Sequence, residues 1–447
     1  MSSSFILAPQ WIFTAEPNVG DPNGQLLENY AIAVVDGHIA ELAPVSEVVS
    51  NNPALTLIER PIQIVIPGLI NAHCHMAMSL MRGLADDLPL HTWLQEHIWP
   101  AEGANVSPEF VELGTRHAAA EMLLGGTTCV NDMYFFAESS ANVLDELGMR
   151  ATLGMITIDF PSAMADGPSG YIERGMALYE QVKGKPLLSV AWAPHAPYTV
   201  CDESFKQVRE LSEEMDVQLH THLHETPQEL TDSVEAHGVR PIQRLYELGI
   251  LSDRTIAVHM THLDNSEIEL CKQLSISIVH CPESNLKLAS GMAPVHRLVQ
   301  AGINVAIGTD GAASNNDLDM FSEIRTASLL AKGLSGDPTA LPAAVVLQMA
   351  TLNGARALGI EETTGSIAVG KAADLCCINL DQVATQPIYD PISTVVYAAT
   401  RSQVNDVWVA GQAKVTNGQL LNIDLDDLKV QVNKARDQVI SSLAETK

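Results

Sequence analysis

Pro67-Gly68-Leu69-Ile70-Asn71-Ala72-His73-Cys74-His75 follows a run of β-branched residues, Ile62, Ile64, Val65 and Ile66, and ends on two histidines two positions apart. On an extended backbone positions i and i+2 share a face, so His73 and His75 can turn both imidazoles to one point while Cys74 faces away. Neutral imidazole suits zinc, and a catalytic zinc usually takes three protein ligands and keeps one position open. A bare His-x-His is a weak signal. Further along, His222 with Glu225, His259, and Asp310 in Gly308-Thr309-Asp310-Gly311 each follow an apolar run long enough for a strand.

Outward from that stretch, helical patterns at 108–124 and 203–215 alternate with strand-like runs at 187–193, 217–222, 255–259, 276–280 and 304–308. Such alternation predicts a parallel sheet, and its length favours a distorted TIM-like (β/α)8 barrel at 66–369. Polar residues at the carboxyl ends of successive strands are then the expected site. Short strands recur at both ends of the chain. Tyr30–Val35 and 38–42 flank an Asp36-Gly37 turn, while 374–380 and 406–412 precede an Asn417-Gly418 hairpin signal. Neither group closes a sheet alone, which predicts a composite β-sandwich domain from 1–65 plus 370–425. A C-terminal helix at 425–447 is expected after an Asp424 cap. Gly365-Ser366-Ile367-Ala368-Val369-Gly370-Lys371-Ala372 nearly spells a phosphate-binding loop. Ala372 offers no hydroxyl and no helix follows, so a turn into the β-domain is expected.

The chain has 447 residues, 46% of them hydrophobic, which supports a barrel plus a smaller domain. Against 54 acidic residues stand 25 Lys and Arg, a formal net charge of −29. That balance repels phosphate backbones and anionic membranes, so neither a nucleic-acid polymer nor a membrane is an expected partner. No apolar run is long enough to span a bilayer, and the N-terminus lacks the basic, then apolar, pattern of a signal peptide. Seven scattered cysteines imply no disulfide framework and point to a reducing cytoplasm. Assembly into a homo-oligomer is left open.

Spacing alone does not settle every role. His220, His222 and His224 all share one face of a strand, and either His259 or His262 can end the strand at 255–259. Asp310 closes an apolar run where an unpaired carboxylate is costly, which metal ligation relieves.

PGLINAHCH, HLHET, VHCPESNLKLASG and GTDGAASNNDLDM resemble the amidohydrolase superfamily, in particular its branch of 5-methylthioadenosine/S-adenosylhomocysteine deaminases. The resemblance runs from about Pro67 to Asp374. It implies one Zn2+ per subunit on His73, His75, His222 and Asp310, and it selects His222 through the family's HxxE pattern. Glu225 is then the proton shuttle and His259, rather than His262, the catalytic histidine, with Asp310 also accepting a proton. Many relatives with two metals carry a carboxylated lysine after the fourth strand. The stretch 187–198 has none, so a mononuclear centre is implied. The same resemblance gives His195, Trp93 and Glu102 to the substrate, as purine contact, base-packing aromatic and ribose-binding acid. His280, Ser284 and Asn285 are expected to shape the pocket. The implied reaction is hydrolytic deamination of a small adenine nucleoside, with s-triazine, guanine or cytosine hydrolysis as the alternative within the fold and a non-catalytic binding protein as the alternative outside it. Around 156–174 only Arg174 is a cation, so an apolar methylthio tail beside Phe160 and Met164 is expected over a charged one.

Overall fold

In the computed structural model residues 3–18 and 20–445 are described. By packing, the chain divides into two compact units, Met1–Asn71 with Ala120–Cys129 and Asp319–Ile423, and Ala72–Ala119 with Val130–Leu318 and Asp424–Lys447.

The first unit holds a mixed sheet built from both ends of the chain. Leu57–Pro67 pairs parallel with Phe5–Phe13 on one side and antiparallel with Leu375–Asn379 on the other. The sheet extends through Val404–Val409 and Gln412–Thr416 at one edge and through Tyr30–Val35 and His38–Pro44 at the other. Asp36 and Gly37 both have positive φ, the condition for the tight turn between the last two strands. Phe5, Leu7, Ile32, Val65, Leu375 and Trp408 pack on one face as a buried cluster. The 365–372 segment is a turn into the sheet rather than a loop before a helix. It runs along this sheet, with Ile367 N–H donating to Thr14 O and Gly370 N–H to Ile39 O.

The second sheet is parallel and follows the chain in order: Leu69–His75, Thr127–Asp132, Arg150–Thr157, Leu188–Pro194, Leu219–Leu223, Thr255–His259, Ser277–His280 and Val305–Ile307. All eight residues of Arg150–Thr157 are buried, as expected for a strand covered on both faces. The eighth strand is broken. Val305–Ile307 pairs with Ser277–His280, then Asp310–Gly311 pairs with the end of Leu69–His75, which closes the ring. A Cβ on Gly308 would lie 2.8 Å from both His73 N and His73 O, so only glycine allows this approach. That is why the strand expected at 304–308 stops at Ile307.

Between the first two strands a segment without simple periodicity folds as a 3-10 turn Met76–Met81, a π-helical turn Trp93–Ile98 and a short helix Trp99–Asn105. The C-terminal helix Leu425–Glu445 starts where Asp424 Oδ1 accepts from the N–H groups of Asp426 and Asp427. Among the described residues no helix is long and apolar enough to cross a membrane.

Candidate metal centre and active site

The first barrel strand delivers His73 and His75 to one side, their ring centroids 4.7 Å apart and nearly perpendicular. His222, next to last on the fifth strand, brings its Nε2 to 3.3 Å from His73 Nε2. Asp310 Oδ1 lies 3.3 Å from His73 Nε2 and 3.1 Å from His75 Nε2. Ligands about 2.0–2.1 Å from a tetrahedral zinc are roughly 3.3–3.4 Å from one another. Three donor pairs match that spacing, and the four donors form a single cluster that could hold one ion, with ligand atoms all within 4.8 Å of one another.

Each imidazole is turned by what its other nitrogen touches. His75 Nδ1–H donates to Met133 O at 2.5 Å and His222 Nδ1–H to His195 O at 2.8 Å, which leaves both Nε2 lone pairs facing the centre. His73 Nδ1 bonds His220 Nε2 at 2.9 Å, so His220 sits one layer deeper, as strand periodicity suggests. Burial, then the neighbouring imidazoles, holds His222 well below the usual histidine range. Burial also takes His73 down to about 4. It pushes His75 the same way, but the hydrogen bond and charge of Asp310 outweigh it and leave His75 at about 8. Asp310 is pushed up by burial yet ends well below the carboxylate range, because both imidazoles bond it. Its second oxygen accepts from Ser284 Oγ at 2.6 Å and Ser314 Oγ at 2.9 Å.

Glu225 follows the end of the fifth strand and is 4% exposed. Burial raises its carboxyl above the ordinary range. His259 ends the sixth strand, with Nδ1 bonded to Asn285 Oδ1 at 2.8 Å and Nε2 3.8 Å from Glu225 Oε2. His262 is engaged elsewhere, its Nε2 bonding Ser290 O. His224 Nδ1 bonds His262 O, and its Nε2 accepts from Ile242 N–H, a structural part. Left-handed backbone at three non-glycine site residues, His224 (φ 53°), His259 (φ 75°) and Asp310 (φ 62°), is the strain that functional sites concentrate.

These groups open into a cavity of about 240 Å3 that Trp93, Glu102 and His195 also line. Tyr134 O–H donates to Glu102 Oε1 at 2.8 Å, and burial lifts Glu102 to about 7. His195 Nδ1 bonds Thr199 Oγ1, and burial, then the His75 and His73 charges, lowers it to about 3. Trp99, Phe135, Ile158, Phe160 and Pro161 make the rest largely apolar.

Two expectations need correction. Ser284, Asn285 and His280 do not line the cavity. Ser284 and Asn285 instead fix Asp310 and His259 from behind, because the strand-seven loop turns away into the helix Pro282–Lys287. Met164 is absent from the cavity wall as well. Its Sδ accepts from Phe136 N–H within a buried apolar cluster, while Phe160 does line the wall. Arg174 is drawn off to Glu138 at 2.5 Å and lies over the Phe136 ring. Sequence reasoning missed Tyr134, whose position carries no periodic or motif signal, and Glu229, whose one signal is the Thr-x-x-Glu spacing from Thr226 that marks a helix start.

The Amidohydrolase family model matches residues 64–414. A 5-methylthioadenosine/S-adenosylhomocysteine deaminase from Saccharophagus degradans is 45% identical over 426 residues, covering 95% of this chain and 94% of that one. A solved adenosine deaminase from Xanthomonas campestris with bound zinc is 48% identical, with TM-score 0.94 and 98% of each chain covered. An atrazine chlorohydrolase from Arthrobacter aurescens complexed with zinc shares the fold at 24% identity, TM-score 0.88, over 97% of this chain and 100% of that one. With its barrel, its converging imidazoles and aspartate, and these relatives, the chain belongs to the amidohydrolase family.

Proposed function

We propose that this protein is a zinc-dependent aminohydrolase that deaminates the adenine ring of a small nucleoside, 5′-methylthioadenosine first. The observation that carries the reading is a four-donor metal cluster that shares one largely apolar cavity with a buried acid, Glu225, and a half-buried one, Glu102. His73, His75, His222 and Asp310 would hold one zinc ion. Zinc supplies Lewis acidity that brings the pKa of water down toward ~7.

The chain's own residues do the rest. Glu225 passes a proton to a purine ring nitrogen, which makes the ring a better electrophile, and burial, which raises its carboxyl above the ordinary range, favours the protonated form. His259 Nε2 stabilises negative charge developing on the attacking oxygen, and Asp310 receives that oxygen's proton. The proton received by Asp310 passes to the amino group as the C–N bond breaks, so ammonia leaves and the ring keeps the oxygen. Trp93 packs the base and His195, held neutral, contacts the purine. Glu102 accepts from the ribose diol with the oxygen that Tyr134 leaves free.

The tail follows from the wall. No lysine or arginine lines the cavity among the described residues, and Phe160, Trp99 and Phe135 do. An uncharged methylthio group is compatible with that surface, whereas a homocysteine tail would place its carboxylate there unpaired. The expected order of kcat/KM is methylthioadenosine, adenosine, S-adenosylhomocysteine, with 2′-deoxyadenosine poor. We also assign residues 66–369 as the catalytic domain, 1–65 plus 370–425 as the composite β-domain and 425–447 as the C-terminal helix. Seven free cysteines are compatible with a cytoplasmic setting.

The test is product analysis on a panel of adenine nucleosides, guanine, cytosine and a chloro-s-triazine, with metal content measured on the same sample. Ammonia from the adenine nucleosides supports the reading. Chloride from the triazine, or ammonia from guanine or cytosine alone, replaces it.

A further inference from the structure

The peptide that carries Glu225 is gripped from both sides. In His222-Leu223-His224-Glu225-Thr226-Pro227-Gln228-Glu229, the carboxylate of Glu229 reaches back so that Oε1 accepts from His224 N–H at 2.9 Å and Oε2 from Glu225 N–H at 2.7 Å. Opposite it, the hydroxyl of Thr261 lies 2.9 Å from His224 O and 2.7 Å from Glu225 O. Thr261 N–H also donates to His224 O at 3.0 Å. Glu229 and Thr261 are 6% and 5% exposed, and neither lines the substrate cavity.

A capping box gives a simpler reading of Glu229, since Thr226 caps the helix Pro227–His237 and Glu229 occupies its third position. A capping-box glutamate, however, bonds the N–H of the capping residue itself. Here both oxygens pass that residue and take the two preceding N–H groups. The second of those belongs to Glu225, and the first to His224, whose φ of 53° is unfavourable for a side chain that branches from the backbone. Two acceptors on one face and a hydroxyl on the other hold that conformation in place.

From this geometry we propose that Glu229 and Thr261 are positioning residues that fix the peptide plane of Glu225, and so aim its carboxyl at the reacting ring. The proposal rests on the reading of Glu225 as the proton-transfer group. Neither residue touches substrate or metal ligands in this arrangement. Their effect is on the rate of the chemical step rather than on binding.

Glu229→Gln keeps the shape but turns an amide NH2 toward one of the two backbone N–H donors. In the zinc-loaded enzyme it is expected to lower kcat by about 10²-fold, the scale of a misplacement near 1 Å, with KM and zinc content unchanged. Thr261→Ser, which keeps the hydroxyl, should retain kcat within about threefold, while Thr261→Val should lose it about tenfold or more. The Thr261 pair decides the matter where Glu229→Gln does not fold. Glu225→Gln is measured beside them. If Glu225→Gln still turns over, the proton-transfer reading falls and this inference with it. If Glu225→Gln is inactive while Glu229→Gln and Thr261→Val keep wild-type kcat, the inference alone is overturned. Loss of zinc in step with activity in Glu229→Gln would also overturn it, since the residue would then serve the metal cluster.

Discussion

Asn285 Oδ1 lies 2.8 Å from His259 Nδ1, so the ring can protonate or donate only through Nε2, the nitrogen that faces Glu225. The contact sets both the tautomer and the direction of a histidine that lines the cavity and stacks on the ligand His222. His262, three residues on, spends its Nε2 on Ser290 O. His259→Ala is expected to cost about 10²-fold or more in kcat, and Asn285→Leu about 10-fold or more through loss of ring orientation. His262→Ala should leave kcat nearly unchanged. Steady-state kinetics on the three variants checks this, and a large loss in His262→Ala with a small one in His259→Ala would reverse the assignment.

Glu102 gives a pH dependence with a definite sign. Burial raises it to about 7, so it is a carboxylate above that pH and a carboxylic acid below. Only the carboxylate can accept from the ribose diol with its full set of lone pairs while Tyr134 occupies one of them. KM for adenosine should therefore rise as the pH falls through about 7, and Glu102→Gln should flatten that dependence. Glu102→Ala should hurt nucleosides and leave residual action on free adenine unchanged. A KM for adenosine that is flat across this range in the unmodified enzyme counts against Glu102 as the ribose acid.

Arg174 is paired with Glu138 outside the cavity wall. Arg174→Ala should change kcat/KM for methylthioadenosine and S-adenosylhomocysteine by less than about threefold each, the scale of a partly exposed ion pair. A selective loss for S-adenosylhomocysteine would show that this arginine reaches the substrate tail after all.

Much of the metal cluster was legible in the sequence because extended strands obey a strict period of two. His73 and His75 had to share a face, and each remaining ligand closed an apolar run. The period could not distinguish among His220, His222 and His224, which it places on one side. The family's HxxE spacing chose, and the structure gives the other two separate hydrogen-bond partners. What stayed hidden depends on contacts between residues far apart in the chain. Asn285 and Ser284 are given to the pocket through the family resemblance, yet they act on His259 and Asp310 from behind. The segment 76–105 was opaque for another reason, since its 3-10 and π-helical turns lack the periods of helix or strand.

Ser284 provides a separate check on the cluster. Its Oγ–H donates to Asp310 Oδ2 at 2.6 Å while Oδ1 faces the imidazoles. Ser284→Ala is expected to weaken zinc retention about 10-fold in competition with a chelator, because Ser314 alone then orients the carboxylate. Asp310→Asn should lose the ion. Unchanged retention in both variants would remove Asp310 from the ligand set.

The central claim is hydrolytic deamination of an adenine nucleoside, and its most direct test is mass spectrometry of the product made from methylthioadenosine by the zinc-loaded protein in 18O-labelled water. The account predicts an intact nucleoside carrying one labelled oxygen on the purine ring in place of the amino group, with an equal amount of ammonia released and none formed by Glu225→Gln at full zinc content. Free adenine as the product, or no ammonia from any adenine nucleoside at full zinc loading, would contradict it.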